Sequence, residues 1–232
     1  MKITKRQGEI LNKIVQEYIE LAQPISSQLL ERKYDFGICP ATIRIEMQKL
    51  TKMGFLFQPH TSAGRIPTDK GYRFFVDGLF EEKMPEIEIE DWFKSEISDT
   101  IKFIQKLTEN LALSSSSLAL SYLVKGKIFW KEGWEEILKK PECRKENFVF
   151  NFAEFLESFE KNIENLKLNS EIKIYIGRES PFKKAKDFSI IVSKCNLPED
   201  GEGIIALLGP KRMTYDKNIS LIREIIKTLE RL

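Results

Sequence analysis

QPHTSAGRIPT, residues 58–68, places Pro59, Gly64 and Pro67 among hydroxyls, one imidazole and one guanidinium. Pro and Gly punctuate chains, and this stretch lies between two segments of clear helical periodicity, so it reads as an ordered, projecting loop. Thr61, Ser62 and Arg65 are donors of the kind that grip phosphates, and His60 can join them. Taken alone, such a loop reads as a solvated hairpin tip. The residues before it change that weighting.

Thr4 is a plausible N-cap, after which Ile10, Leu11, Ile14, Val15, Tyr18, Ile19 and Leu21 recur at helical spacing until Pro24. Ser26 or Ser27 can cap a short second helix that stops near Gly37. A third helix begins at Pro40, whose missing N–H costs nothing in a first turn, and runs to Gly54. At about 100° per residue, Ile43, Met47 and Leu50 share its inner side. Ala41, Arg44, Ile45, Gln48, Lys49 and Lys52 share the other. A three-helix unit whose last helix has a basic, polar outer face is the pattern of a helix-turn-helix. Phe55, Leu56 and Phe57 then form a short strand into the loop, and Ile66 begins the return strand. Helix-turn-helix plus hairpin makes a winged helix, with the third helix in the major groove and the wing on adjacent phosphates or the minor groove.

On that reading Arg44 and Gln48 face base edges, with Ile45 between them and the lysines. Ser27, Gln28, Thr42, Lys49 and Lys52 meet phosphates or flanking edges. His60, Thr61, Ser62 and Arg65 work in the wing. The charge distribution agrees: residues 1–75 hold twelve Lys/Arg against seven Asp/Glu, whereas residues 76–100 hold nine acids and two lysines. A basic head followed by an acidic segment suits a polyanionic partner at the head.

PATIRIEM at 40–47, GFLFQPHTSAGRIPTDKGYRFFVD at 54–77 and GPKRMTYDKNISLI at 209–222 resemble the HrcA family of heat-inducible repressors of chaperone operons. The resemblance covers the first 120 residues and, more weakly, residues 127–232. It implies a winged-helix domain followed by a GAF-like domain with an inserted dimerisation domain. It also implies binding as a homodimer to double-stranded operator DNA with an inverted repeat, under control of the chaperonin GroEL. Family members are usually about a hundred residues longer. The missing material falls between Leu123 and Lys127, where early GAF-like strands and the insert are expected. Ile45 stands where the resemblance leads one to expect Asn, and Cys39 where it leads one to expect Ser.

Beyond the loop, Thr68 can cap a helix through Tyr72, Phe74, Phe75, Val76 and Leu79, and an acidic break follows around Pro85. A long amphipathic helix is expected from Trp92 to about Leu113, with Phe93, Ile97, Ile101, Ile104, Leu107 and Leu111 in a narrow stripe. That stripe is either a dimer seam or the face that packs on its own domain. Ser114 to Ser117 interrupt it, as a cap or a joint, and the helical reading extends to near Tyr122. Phe129, Trp130 and Trp134 suggest one aromatic cluster, and Phe152, Phe155, Leu156, Phe159, Ile163 and Leu166 the inner face of another helix. Ile172, Ile174 and Ile176 alternate, residues 188–192 and 204–208 read as buried strands, and residues 197–203 as a turn. Residues 216–232 close the chain as a helix.

The expected architecture is therefore α+β: a winged-helix DNA-binding domain over 1–82, an acidic linker and long linking helix over 83–124, and an α+β domain over 125–232 that, as the resemblance implies, is a reduced GAF-like regulatory or dimerisation domain. With 42% hydrophobic and 31% charged residues, the composition is that of a soluble globular protein. No apolar run approaches the ~20 residues that span a bilayer, so no membrane partner is expected, and a cytoplasmic location is. Cys39, Cys143 and Cys195 are dispersed and odd in number, which reads as neither a disulfide framework nor a zinc site. His60 is the only histidine, so no Ser-His-Asp triad or multi-histidine metal site is expected. No P-loop or dinucleotide fingerprint appears. The sequence thus indicates no catalytic residues, no metal and no cofactor, and the resemblance implies a DNA-binding repressor of heat-shock genes rather than an enzyme. The alternative is a ligand- or protein-sensing GAF-like module that a winged helix merely tethers.

Overall fold

A computed structural model describes residues 3–81, 87–89, 92, 100–168, 172–197 and 201–231. The chain forms two compact units, Met1–Lys83 and Met84–Leu232.

In the first unit, α1 (Lys5–Leu21) starts at the expected cap: the Thr4 hydroxyl accepts from the Gln7 N–H, and the Gln7 side chain reciprocates on the Thr4 N–H. Its buried face carries Ile10, Leu11, Ile14 and Val15. Helix α2 (Ser27–Lys33) is capped by Ser26, whose hydroxyl accepts from the Leu29 N–H at 3.1 Å. Helix α3 (Pro40–Lys52) has Pro at its first position and buries Ile43, Met47 and Leu50 against α1 and α2. Strands β1 (Leu56–Phe57) and β2 (Ile66–Pro67) pair antiparallel and carry the loop between them. Thr68 caps α4 (Asp69–Leu79), accepting from the Gly71 N–H and donating to the Gly54 carbonyl at 2.7 Å. Gly71 is needed there, because a Cβ would lie 2.3 Å from the Phe55 carbonyl oxygen.

The second unit is built on a five-stranded antiparallel sheet in the order β4-β3-β7-β6-β5. Its strands are β3 (Leu118–Leu123), β4 (Ile128–Glu132), β5 (Lys173–Ile176), β6 (Phe188–Leu197) and β7 (Gly201–Pro210). Helices α5 (Thr100–Ser115) and α8 (Tyr215–Leu229) cover one face. Helix α7 (Phe148–Asn162) covers the other, with the short α6 (Trp134–Leu138) beside it. Leu118, Leu120 and Tyr122 of β3, Phe188, Ile190 and Val192 of β6, and Ile204, Ala206 and Leu208 of β7 point to α7, into a core of Phe148, Phe152, Phe155 and Phe159. The alternate residues face α5 and α8. A buried hydroxyl pair, Thr108 with Ser121 at 2.7 Å, lies on that side, and Ser189 with Tyr215 at 2.8 Å is likewise buried. Cover on both faces explains why residues 190–192 and 204–208 are continuously apolar rather than alternating.

Of the two readings left open for the stripe, α5 follows the second: Phe103, Ile104, Leu107 and Leu111 are buried within its own unit, although Ile101 is exposed. Phe93 and Ile97, like the break at Pro85, lie outside the described residues. Residues 118–123 are a fully buried strand and not the end of a helix. Ser116, at φ 49°, turns the chain out of α5. The spacing of Leu111, Leu118 and Tyr122 imitates a helical stripe, but a six-residue segment covered on both faces satisfies its backbone through β7 and β4 instead. The sheet consequently carries two strands, β3 and β4, on either side of the point where the resemblance places the missing material. β3 and β4 form a direct hairpin closed by residues 124–127, with Lys127 at φ 51°. Strand alternation also divides the expected aromatic cluster. Phe129 and Trp134 join the α7 side, while Trp130 lies beside Lys102 and Lys106 of α5.

Candidate nucleic-acid interface

Backbone pairing sets the position of the loop before any side chain is considered. Ile25, just ahead of α2, exchanges two hydrogen bonds with Arg65: Ile25 N–H to the Arg65 carbonyl at 2.9 Å, and Arg65 N–H to the Ile25 carbonyl at 2.8 Å. Gly64 makes this approach possible. A Cβ there would lie 2.3 Å from the Ile25 carbonyl oxygen and 2.8 Å from the Pro24 carbonyl carbon. The loop is folded by Gln58, whose amide donates to the carbonyls of Thr61 at 2.8 Å and Ala63 at 3.1 Å, and by a turn in which the Ala63 N–H reaches the His60 carbonyl.

Arg65 ties the loop to α3. Its Nε donates to Thr51 Oγ1 at 3.0 Å, and Thr51 in turn donates to the Met47 carbonyl. Nη1 lies 3.4 Å from the carbonyls of Ala63 and Gly64. Burial pulls the guanidinium below its ordinary pKa. Arg65 therefore lies along the junction between loop and helix instead of projecting from the tip.

The result is a groove of about 450 Å³ between the loop, the start of α2 and α3. Of the residues singled out from sequence, it brings together Ser27, Arg44, Gln48, Thr61, Ser62 and Arg65. Ser27 is buried to 4% exposure at its edge. Gln28, Ile45, Lys49, Lys52 and His60 are exposed outside its lining, and Thr42 is half-buried with its hydroxyl 3.4 Å from Cys39 Sγ. Lys49 is held by Glu46 at 2.7 Å, and the buried Glu46 also accepts from Gln7 at 2.8 Å. Hydrogen bonds from Lys49 and Gln7 hold the Glu46 carboxyl below the usual carboxylate range. Sequence reading missed Gln58, Thr51 and the Gln7–Glu46 pair. Gln58 alone carried a signal, as the polar residue at the mouth of the loop; the others are joined only by tertiary folding.

Among the described residues no cluster of His, Cys, Asp and Glu is arranged to hold a metal, and no helix is long and apolar enough to cross a membrane.

The profile of the family described as "HrcA protein C terminal domain" matches residues 74–219, more than half of the chain. The chain belongs to the HrcA family. HrcA relatives bear this out along its length. "Heat-inducible transcription repressor HrcA" of Thermodesulfovibrio yellowstonii is 27% identical over 341 aligned residues, covering 99% of this chain and 97% of that protein. The protein of the same name from Carboxydothermus hydrogenoformans is 47% identical over 116 residues, covering 50% of this chain and 34% of its own. An alignment of 341 positions against 232 residues leaves at least 109 positions of the Thermodesulfovibrio HrcA without a counterpart here. A crystal structure of a hypothetical protein at 2.2 Å superposes with a TM-score of 0.84 at 23% identity, covering 99% of this chain and 98% of that one. That likeness concerns the fold.

Proposed function

We propose that this HrcA-family chain is a heat-inducible transcription repressor that reads operator DNA through a winged helix, formed by the first unit, with α3 as reading helix and the loop over residues 58–65 as wing. The observation that carries this reading is the convergence of α3 and the loop on one polar groove, fixed by the Ile25–Arg65 pairing and the Arg65–Thr51 hydrogen bond. A major groove about 12 Å wide admits a helix, and Arg and Gln make bidentate contacts to guanine and adenine. Arg44 and Gln48 contact base edges. Ser27, Gln28, Thr42, Lys49 and Lys52 contact phosphates or flanking edges, and His60, Thr61, Ser62 and Arg65 contact the strand beneath the wing. Lys49 contributes less than its charge suggests, because Glu46 already neutralises it.

The second unit is the GAF-like regulatory domain, and its strand order supports that assignment. One reading helix covers only a few base pairs, so an inverted repeat requires two copies related by a two-fold axis. The active species is a cytoplasmic homodimer, and the chaperonin GroEL, which the family resemblance implies, is the partner expected to control it. Gel-shift titration of the full chain against a duplex recovered by binding-site selection tests the reading. Arg44→Ala and Arg65→Ala should both weaken binding, and unchanged affinity in both would refute it. Light scattering of the same complexes gives the stoichiometry, two chains per inverted repeat.

A further inference from the structure

Helix α3 carries one residue for which its own fold has no use. Ala41, Arg44, Ile45, Gln48, Lys49 and Lys52 make its exposed face, and Ile45, at 51% exposure, is the one large apolar side chain among them. A β-branched residue loses rotamer freedom in a helix and ranks below Ala, Leu, Lys or Gln there. At a solvent position Ile45 therefore adds nothing to folding that a polar helix former would not do better. One turn earlier stands Ala41, at the spacing that stacks side chains along a helix. The two form a methyl-surfaced strip, with Arg44 and Gln48 on the groove side and Lys49 on the other.

An aliphatic side chain neither donates nor accepts a hydrogen bond, so it reads none of the polar groups on base edges. The major groove offers it one apolar target, the C5 methyl of thymine. We propose that Ile45, with Ala41 beside it, is a specificity-determining residue that packs on the C5 methyl of one thymine in each operator half-site. The inference rests on the reading of α3 as the DNA-reading helix. It names the base feature at the centre of that helix's face, where a polar residue would instead hydrogen-bond a base edge.

The test uses the full chain and duplexes recovered from a random-sequence library. Each thymine of the half-site is replaced singly by deoxyuridine, which removes the methyl and nothing else. One position per half-site should weaken binding about fourfold, the fold-change that burial of one methyl corresponds to. Replacement in both half-sites together should weaken it about fifteenfold. Ile45→Ala, which improves helix propensity and so retains α3, should bind the unmodified duplex more weakly and no longer distinguish thymine from deoxyuridine at that position. An enriched site with no methyl-sensitive thymine overturns this inference alone, as does an Ile45→Ala variant as methyl-sensitive as the parent. A library that yields no enriched sequence overturns the DNA-reading function and this inference with it.

Discussion

Replacing Gly64 with Ala asks whether the loop is held by backbone approach, as the geometry indicates. The added Cβ would fall 2.3 Å from the Ile25 carbonyl oxygen, 2.4 Å from the Ile25 carbonyl carbon and 2.8 Å from the Pro24 carbonyl carbon. All three are main-chain atoms and cannot rotate away, so one of the two segments must move. The movement costs the paired hydrogen bonds between Ile25 and Arg65, at 2.9 and 2.8 Å. At about 0.5–1.5 kcal/mol net per bond, their loss amounts to roughly 1–3 kcal/mol. For a unit of this size that is a fall in midpoint of roughly 4–24 °C. The assay is thermal unfolding of the full chain, with hydrogen exchange at the Ile25 and Arg65 amides to localise the change. Gly78→Ala is the internal control: its Cβ enters open space within α4, and Gly to Ala in a helix should stabilise by up to about 1 kcal/mol. DNA affinity should fall with Gly64→Ala and not with Gly78→Ala. A Gly64→Ala protein with unchanged midpoint and unchanged exchange at both amides would refute the argument.

Other substitutions separate reading from positioning. Lys52→Ala should lower affinity about equally for all sequences and reduce the slope of log affinity against log salt by about 0.9, whereas Arg44→Ala should relax preference at one base pair by about 1–3 kcal/mol; titrations at several salt concentrations distinguish the two. Glu46 has a folded-state pKa below its ordinary value of 4.5, owing to Lys49 and Gln7, so its contribution is fully present above that value and is lost as pH falls through the lowered one. Urea unfolding at pH 7 and near pH 3 should show this loss in the parent and a smaller one in Glu46→Gln. Phe152, fully buried 5.2 Å from Phe188 and 5.5 Å from Trp134 between ring centroids, should cost about 3–5 kcal/mol as Phe152→Ala in denaturant titration.

Local signals were sufficient wherever one segment determined its own structure. The Thr4, Ser26 and Thr68 caps, the Pro40 start and the inner faces of α1, α3 and α4 all follow from residues within one or two turns. The buried strands at 188–192 and 204–208 were equally legible, as were α7 and α8, because apolar runs and stripes are written contiguously. What failed was the stretch 118–123, which reads in sequence as the end of a helix. There a short apolar segment fits both the end of a helix and a strand covered on two faces. Only the pairing of β3 with β7 on one side and β4 on the other decides it.

The candidate interface divides along the same line. By itself the sequence determined which segments face outward and what chemistry they carry: a helix with Arg44, Ile45, Gln48 and Lys52 on its outer face, and a Gly/Pro loop with His60, Thr61, Ser62 and Arg65. Tertiary structure alone decided how these groups are used. Arg65 is turned from a projecting donor into the brace between loop and helix through Thr51, and Lys49 is neutralised by a carboxylate that Gln7, 39 residues away in sequence, holds in place. Gly64 is required by the backbone of Ile25. The physical reason is common to all three: outward facing is a property of one helix or one turn, whereas the partner of a charged side chain is set by whichever distant segment the fold brings within about 3 Å of it.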